Sequence, residues 1–179
     1  NAAAFKKNIH NLKEGGTLIL DTQGFDKRNL RLAHYPEDET WRESIRGDLQ
    51  VIEIDITKLN RDALADLQMG NKDKDRSRNV FALGLLYFIY HRNLEPTLSF
   101  FGEKFKNKTD VLDANARALR AGYHLGETLE SLPRFQIDKA KLEPGEYRSI
   151  IGNQALGLGL VAATQKSGFP MFFAGYPIT

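Results

Sequence analysis

Phe5, Ile9 and Leu12 stand at i, i+4 and i+7 and share one face, so residues 2–12 are expected to form an amphipathic helix. Gly15-Gly16 stops it. The apolar run Thr17-Leu18-Ile19-Leu20 then reads as a buried strand closed by Asp21. Helix, glycines and strand in that order make the second half of an α/β unit. Residues 21–48 are polar and irregular, punctuated by Pro36 and Gly47. Gln50–Ile54 carries Val51, Ile52 and Ile54, the β-branched signature of a second strand. Asn60–Leu67 reads as a short helix with Leu64 and Leu67 on its apolar face, and Met69–Asp75 as a turn around Gly70-Asn71.

Three helices are expected next. The first runs from Ser77 to Arg92, capped by Asp75 or Ser77. The second runs from Glu95 or Pro96 to Phe105, with the proline early, where its missing N–H costs little. The third runs from Asp110 to Ser131, with Leu112, Ala116, Leu119, Tyr123 and Leu129 at helical spacing. The texture changes at Leu132. Residues 132–149 hold Pro133, Pro144, Gly145 and many charges, and read as a linker. Gly152–Ser167 is rich in Gly, Ala and Leu and reads as a tightly packed helix. Pro170–Ala174 reads as a short apolar strand, so a second α/β domain begins but is not completed.

The chain has 179 residues, 41% of them apolar and 27% charged, a globular balance with enough length for a core. It has no cysteine, which excludes disulfides, thiolate metal sites, cysteine-held iron–sulfur clusters and a cysteine nucleophile within this chain. Its 25 basic and 23 acidic residues leave a net charge of +2, too little to argue for a nucleic-acid partner. The longest apolar run, Phe81–Tyr90, is about half the length a membrane helix needs and reads as a buried core helix. The N-terminus carries no apolar signal segment and no initiator Met, so Asn1 is not expected to be the natural start.

Few residues announce chemistry by spacing. Gly152, Gly157 and Gly159 match neither phosphate-loop pattern and read as small residues that let a helix pack closely. His10, His34, His91 and His124 are not paired at metal-ligand spacing. His34, near Arg28, Arg31 and Tyr35, could meet an anion but reads as part of a solvated loop. The alternating charges of Asn71–Asn79 read as a solvated helix start rather than a basic patch, since acidic residues belong at helix N-termini. Asn115 and Tyr123, on a mostly apolar stripe, read as partners for buried backbone groups. No nucleophile–base–acid set is visible.

Longer segments carry a resemblance. Gly152-Asn153-Gln154-Ala155-Leu156-Gly157-Leu158-Gly159, then Ala162-Ala163, then Gly175-Tyr176-Pro177-Ile178-Thr179 resembles the opening of the pyrimidine-type thiamin-diphosphate domain of 2-oxoacid:ferredoxin oxidoreductases. Lys13–Asp21 resembles the helix–turn–strand step of that family's gamma domain. Asn79-x-x-x-Leu83-Gly84 and Asn115-x-x-Ala118-x-x-x-Gly122-Tyr123 resemble two of its helices. A gamma-like part that precedes the thiamin-type part resembles the fused gamma–alpha subunit of the 2-oxoglutarate type.

The resemblance implies an α/β fold: a gamma-type domain with a mainly parallel sheet flanked by helices, then the first elements of a thiamin-diphosphate-type α/β domain. It implies a partial gamma-type domain over 1–131, a linker over 132–149 and the start of the pyrimidine-type domain over 150–179. The implied activity is oxidative decarboxylation of 2-oxoglutarate, or another 2-oxoacid, with coenzyme A, giving acyl-CoA, CO2 and reduced ferredoxin. Thiamin diphosphate and Mg belong to the full complex, coenzyme A is co-substrate, and the iron–sulfur cluster sits on a partner. The implied partners are the enzyme's beta subunit and ferredoxin, with no nucleic acid and no membrane, in the cytoplasm. Tyr176, Pro177, Ile178 and Thr179 are implied to form the loop that meets substrate and cofactor, with the Thr179 hydroxyl as a donor. No catalytic residue or metal ligand is expected within the chain. The family's glycine-rich opening and most of the thiamin-type domain are not in this sequence, so it reads as a fragment inactive alone. The alternative is a non-catalytic interaction or assembly module with a gamma-like fold. A third reading, an unrelated nucleotide-binding α/β protein, is disfavoured by the missing glycine loop.

Overall fold

The structure is a computed structural model and describes residues 1–35 and 39–175. Thr17–Asp21 (β1) and Gln50–Ile54 (β2) pair in parallel, Thr17 opposite Gln50 and Asp21 opposite Ile54. Side chains alternate across a strand, so this small sheet feeds two cores. Ile19, Ile52 and Ile54 pack with Phe81, Leu85, Phe88 and Ala118. Leu18 and Leu20 face the other layer, with Ala2, Phe5, Leu30 and Trp41. The expected α/β fold, a parallel sheet flanked by helices, is what the chain adopts.

The expected first helix divides into α1 (Ala2–Asn8) and a 3-10 turn over Ile9–Asn11. Gly15, at φ +68°, then reverses the chain into β1. The stretch 21–48, expected to be irregular, contains helical structure instead. A 3-10 turn spans Thr22–Phe25, α2 spans Lys27–Leu32, and a second 3-10 turn spans Glu39–Ser44. Asp26 caps α2 by accepting Asn29 N at 2.7 Å. Aromatic anchors hold the stretch down: Trp41 is 4% exposed, stacks on Phe25 at 4.2 Å and meets Phe5 edge-on at 5.5 Å. These anchors are too widely spaced to give a periodic signal.

The helix expected over Asn60–Leu67 begins earlier, as α3 (Ile56–Ala63). Asp55, directly after β2, caps it by accepting Lys58 N at 2.9 Å. Leu64 is fully buried at its end. The expected turn over Met69–Asp75 is instead a short helix, α4 (Asn71–Lys74), and a 3-10 turn over Asp75–Ser77. The charged run is not simply solvated, because Lys74 and Ser77 are buried. Fully buried Asn60 donates Nδ2 to Lys74 O at 2.8 Å, and the Ser77 hydroxyl donates to the same carbonyl at 2.8 Å. Asp75 takes both ends of the Arg61 guanidinium at 2.7 Å.

Three helices follow: α5 (Arg78–Ile89), α6 (Glu95–Lys104) and α7 (Thr109–Thr128). Ser77, one of the two expected capping residues, stands at the N-cap position of α5. The preceding 3-10 turn runs straight into the helix, and Ser77 makes no side-chain capping bond. α5 and α7 pack through glycines: a Cβ on Gly84 would run into Leu119 O, and one on Gly122 into Phe81 O. The first residues of the expected linker are pinned to this layer. Leu132 lies in the core, and Phe135 N donates to Ile89 O at 2.8 Å. Gln50 Nε2 donates to Ser131 O, and the Arg134 guanidinium lies over the Phe88 ring at 4.8 Å.

The chain divides into two units, Asn1–Asp138 and Lys139–Thr179. The second contains α8 (Gly152–Ser167), ended by Gly168 at φ +71°. Among the described residues of this unit, nothing lies within 4 Å of a Cβ placed on Gly152, Gly157 or Gly159, so the unit itself does not supply the close packing expected of this helix. The expected strand over 170–174 is not formed. A strand exists through its ladder partner, and none of the described residues pairs with this segment.

Candidate functional site at the carboxyl end of the sheet

In parallel α/β folds, ligands bind beyond the carboxyl ends of the strands. Here both strands run into a carboxylate: β1 ends on Asp21, and Asp55 follows β2 directly. Asp21 Oδ2 accepts from Thr57 Oγ1 at 3.0 Å, and its Oδ1 from Thr57 N at 3.4 Å. Asp55 Oδ2 accepts from Gln23 Nε2 at 3.0 Å. Each carboxylate therefore ties down the segment that leaves the other strand. Arg78, at the start of α5, donates Nη1 to Thr57 Oγ1 at 3.1 Å and stands 4.0 Å from Asp21 Oδ2.

A cleft of about 240 Å³ opens at this point, lined by Asp21, Gln23, Asn29, Arg78 and Asn79 among others. The Asp21 side chain is 14% exposed and that of Arg78 41%. The carboxylate is withdrawn under its Thr57 donors while the guanidinium reaches solvent. Asn79 is exposed, and among the described residues its side chain forms no hydrogen bond. The cleft thus offers N–H donors from Arg78 and Asn79 and suits an acceptor-rich group such as a carboxylate or phosphate oxygen.

Residues 1–125 match the family described as pyruvate ferredoxin/flavodoxin oxidoreductase, POR. The chain belongs to the POR family. It is 41% identical, over 180 residues, to the 2-oxoglutarate oxidoreductase subunit KorA of Mycobacterium tuberculosis, matching 100% of this chain and 27% of that protein. Its fold is similar to that of a 2-oxoglutarate:ferredoxin oxidoreductase from Magnetococcus marinus with 2-oxoglutarate, coenzyme A and succinyl-CoA bound. That likeness has a TM-score of 0.58 at 23% identity and covers 88% of this chain and 24% of the other, and it speaks for the fold alone. The chain spans about a quarter of the length of these relatives, 27% and 24%.

Two of the segments that carried the POR resemblance, Asn79–Gly84 and Asn115–Tyr123, meet in space. Gly84 and Gly122 form the α5–α7 contact, and Asn79 lines the cleft. Tyr176, Pro177, Ile178 and Thr179 lie outside the described residues. His34 and His91 each follow a helix end at positive φ, 56° and 48°. The carbonyls of Ala33 and His34 accept from Lys6 Nζ at 3.0 and 2.8 Å, and Lys6 also lies 4.7 Å from the Tyr35 ring centroid. A lysine of α1 therefore already occupies the place where an anion was considered. Asn115 donates Nδ2 to Val111 O at 2.8 Å, the backbone role expected of it. Among the described residues, no group of three or more His, Cys, Asp or Glu side chains is placed to hold a metal ion. Among them too, no helix is long and apolar enough to cross a membrane.

Sequence reasoning missed Asp21, Thr57 and Arg78 as a group. Asp21 was legible only as the end of a strand. Its partners lie 36 residues on, at Thr57, and a further 21 on, at Arg78. The available signal was an acidic residue at the end of each apolar run.

Proposed function

We propose that this chain is part of the alpha subunit of a 2-oxoacid:ferredoxin oxidoreductase of the 2-oxoglutarate type. The observation that carries the reading is the 41% identity, along the whole chain, to a 2-oxoglutarate oxidoreductase subunit. In this reading residues 1–131 belong to the gamma-type domain, 132–149 link it onward, and 150–179 open the pyrimidine-type thiamin-diphosphate domain. The full enzyme oxidatively decarboxylates 2-oxoglutarate with coenzyme A to succinyl-CoA and CO2 and passes the electrons to ferredoxin. It works in the cytoplasm together with a beta subunit.

Thiamin diphosphate with Mg, when bound to the full enzyme, supplies the carbanion that attacks the keto carbon. Tyr176–Thr179 are assigned to the loop that meets substrate and cofactor, Pro177 stiffening it and Thr179 donating its hydroxyl. The iron–sulfur cluster is assigned to a partner, and these 179 residues hold no cysteine to ligate one. The chain's own contribution is a rigid support, set by the α5–α7 contact, and a donor-lined cleft for an acceptor-rich group. By itself it turns over no substrate.

The test is dye reduction by the complete natural subunit assembled with its beta partner, with coenzyme A and thiamin diphosphate present. Coenzyme A-dependent reduction that prefers 2-oxoglutarate over pyruvate is the expected result. A preference for pyruvate would correct the substrate. No activity with any 2-oxoacid, from an assembled and cofactor-loaded complex, would leave an assembly module.

A further inference from the structure

A second cleft, about 540 Å³, lies between the first turns of α7 and the segment Gln68–Ser77. This size is that of a small-molecule site. Nothing in the proposed function uses it. At its base is Asn115, which is 9% exposed. The amide orientation of Asn115 is fixed, because the atom 2.8 Å from Val111 O must be the donor Nδ2. That leaves Oδ1 as an acceptor, and no donor among the described residues reaches it.

Among the described residues, no fully buried side-chain polar atom lacks a partner. Oδ1 has none, so it is open to solvent, and the cleft is where Asn115 meets solvent. An asparagine in a helix interior costs helix propensity, and half of its hydrogen-bonding capacity here is left facing a cavity.

The charges around the cleft define what would fit. Asp73 is paired with Arg76 at 2.7 Å. Asp110, in the first turn of α7, lines the cleft and forms no ion pair among the described residues. Phe105 supplies an aromatic wall, and its ring already draws Lys104 Nζ to 5.6 Å from the centroid. An open carboxylate, an open amide oxygen and a ring together disfavour an anion. They suit a flat or compact cation that carries N–H donors.

We propose that this cleft binds an organic cation, the guanidinium or ammonium head of a basic side chain or amino acid, through Asn115 Oδ1 and the Asp110 carboxylate. A guanidinium fits best, because it can donate to both acceptors while stacking on Phe105.

The test is an NMR titration of the 179-residue chain. The probes are N-acetyl-L-arginine amide, free L-arginine, N-acetyl-L-lysine amide and the neutral isostere N-acetyl-L-citrulline amide. Saturable shifts of the Asn115 side-chain amide and of the Asp110 backbone are expected with the arginine probes. Citrulline should bind at least about tenfold more weakly, the size of one lost charge-assisted bond. Asp110→Asn, an exposed change that leaves the core alone, should weaken arginine by about the same factor. Asn115→Ala should abolish the shifts at Asp110. Tighter binding of the capped probe would identify the source as a side chain of a partner protein, and tighter binding of free arginine a metabolite. Either supports the site. No saturable shift, equal binding of citrulline, or an unchanged affinity in Asp110→Asn would overturn it.

Discussion

Gly84 of α5 and Gly122 of α7 are reciprocal: each lies against the backbone of the other's helix. A Cβ on Gly84 would strike Leu119 O and come within 2.9 Å of Tyr123 N. One on Gly122 would strike Phe81 O and come within 3.1 Å of Leu85 N. The obstacle in both cases is helix backbone, which cannot rotate away like a side chain. Gly122→Ala is therefore expected to destabilise the chain by about 3 kcal/mol or more, at the upper end of overpacking costs. Gly102 in α6 has nothing within 4 Å of its Cβ position. Gly102→Ala should stabilise by about 0.5–1 kcal/mol through helix propensity alone. Urea unfolding of the two variants decides. Equal stability for both would mean that the two helices do not cross at these glycines.

Ion pairing sets an acid limit. Asp75 is held below the usual carboxylate range chiefly by its hydrogen bonds from Arg61, and Glu53 likewise by Arg42. A carboxyl lowered in the folded state binds fewer protons there than in the unfolded chain, so stability rises with pH across that window. The contribution is whole above the unfolded value of about 4 and is lost as pH falls through the lower folded value. Stability is expected to be level from neutral pH to about 5 and to fall below about 4. Asp75→Asn should be less stable at neutral pH and show a shallower acid slope. A slope identical to the wild type in urea titrations across this range would remove Asp75 from the account.

Asn60 is fully buried and bonds Lys74 O, and its Oδ1 accepts from the Ser77 hydroxyl at 3.3 Å. Asn60→Leu would leave a hydroxyl with one partner fewer and put bulk where the amide sat. A loss of about 2–3 kcal/mol is expected. Asn60→Asp keeps the acceptor but loses the donor to Lys74 O, and should also destabilise. Thermal unfolding of both variants checks this, and a Leu variant as stable as the wild type would contradict it.

At the sheet's carboxyl end, stability and binding can be separated. Asp21→Ala removes both acceptors of Thr57, which is 6% exposed, and should cost about 2 kcal/mol. The exposed Asn79 side chain makes no hydrogen bond among the described residues, so Asn79→Ala should leave stability within about 0.5 kcal/mol. If the cleft holds a group of the substrate or of a partner in the assembled enzyme, the same Asn79→Ala should lower kcat/KM about tenfold, equivalent to one lost hydrogen bond. Unchanged kcat/KM in the full complex would assign the cleft to structure alone.

The sequence by itself determined the elements whose burial is local and periodic. β1 and β2 were legible because each is a run of apolar and β-branched residues bounded by polar ones. α5, α6, α7 and α8 were legible from helical spacing, composition and the early proline of α6. The family was legible in Asn79–Gly84 and Asn115–Tyr123, though not why those glycines are there. Only the tertiary structure showed that Gly84 and Gly122 meet backbone to backbone, since spacing on one helix does not say what opposes it. It also placed helical turns at Thr22–Phe25, Lys27–Leu32 and Glu39–Ser44 in a stretch expected to be irregular, where Phe5, Phe25 and Trp41 gain their packing from one another across a long separation. The two clefts belong to the same class. Asp21, Thr57 and Arg78 come together only when parallel strands bring both carboxyl ends to one edge. Asn115 lines a cleft only because α7 docks beside the segment around Ser77. Local pattern fixes which face of an element is apolar; what stands opposite that face is decided by packing between residues far apart in the chain.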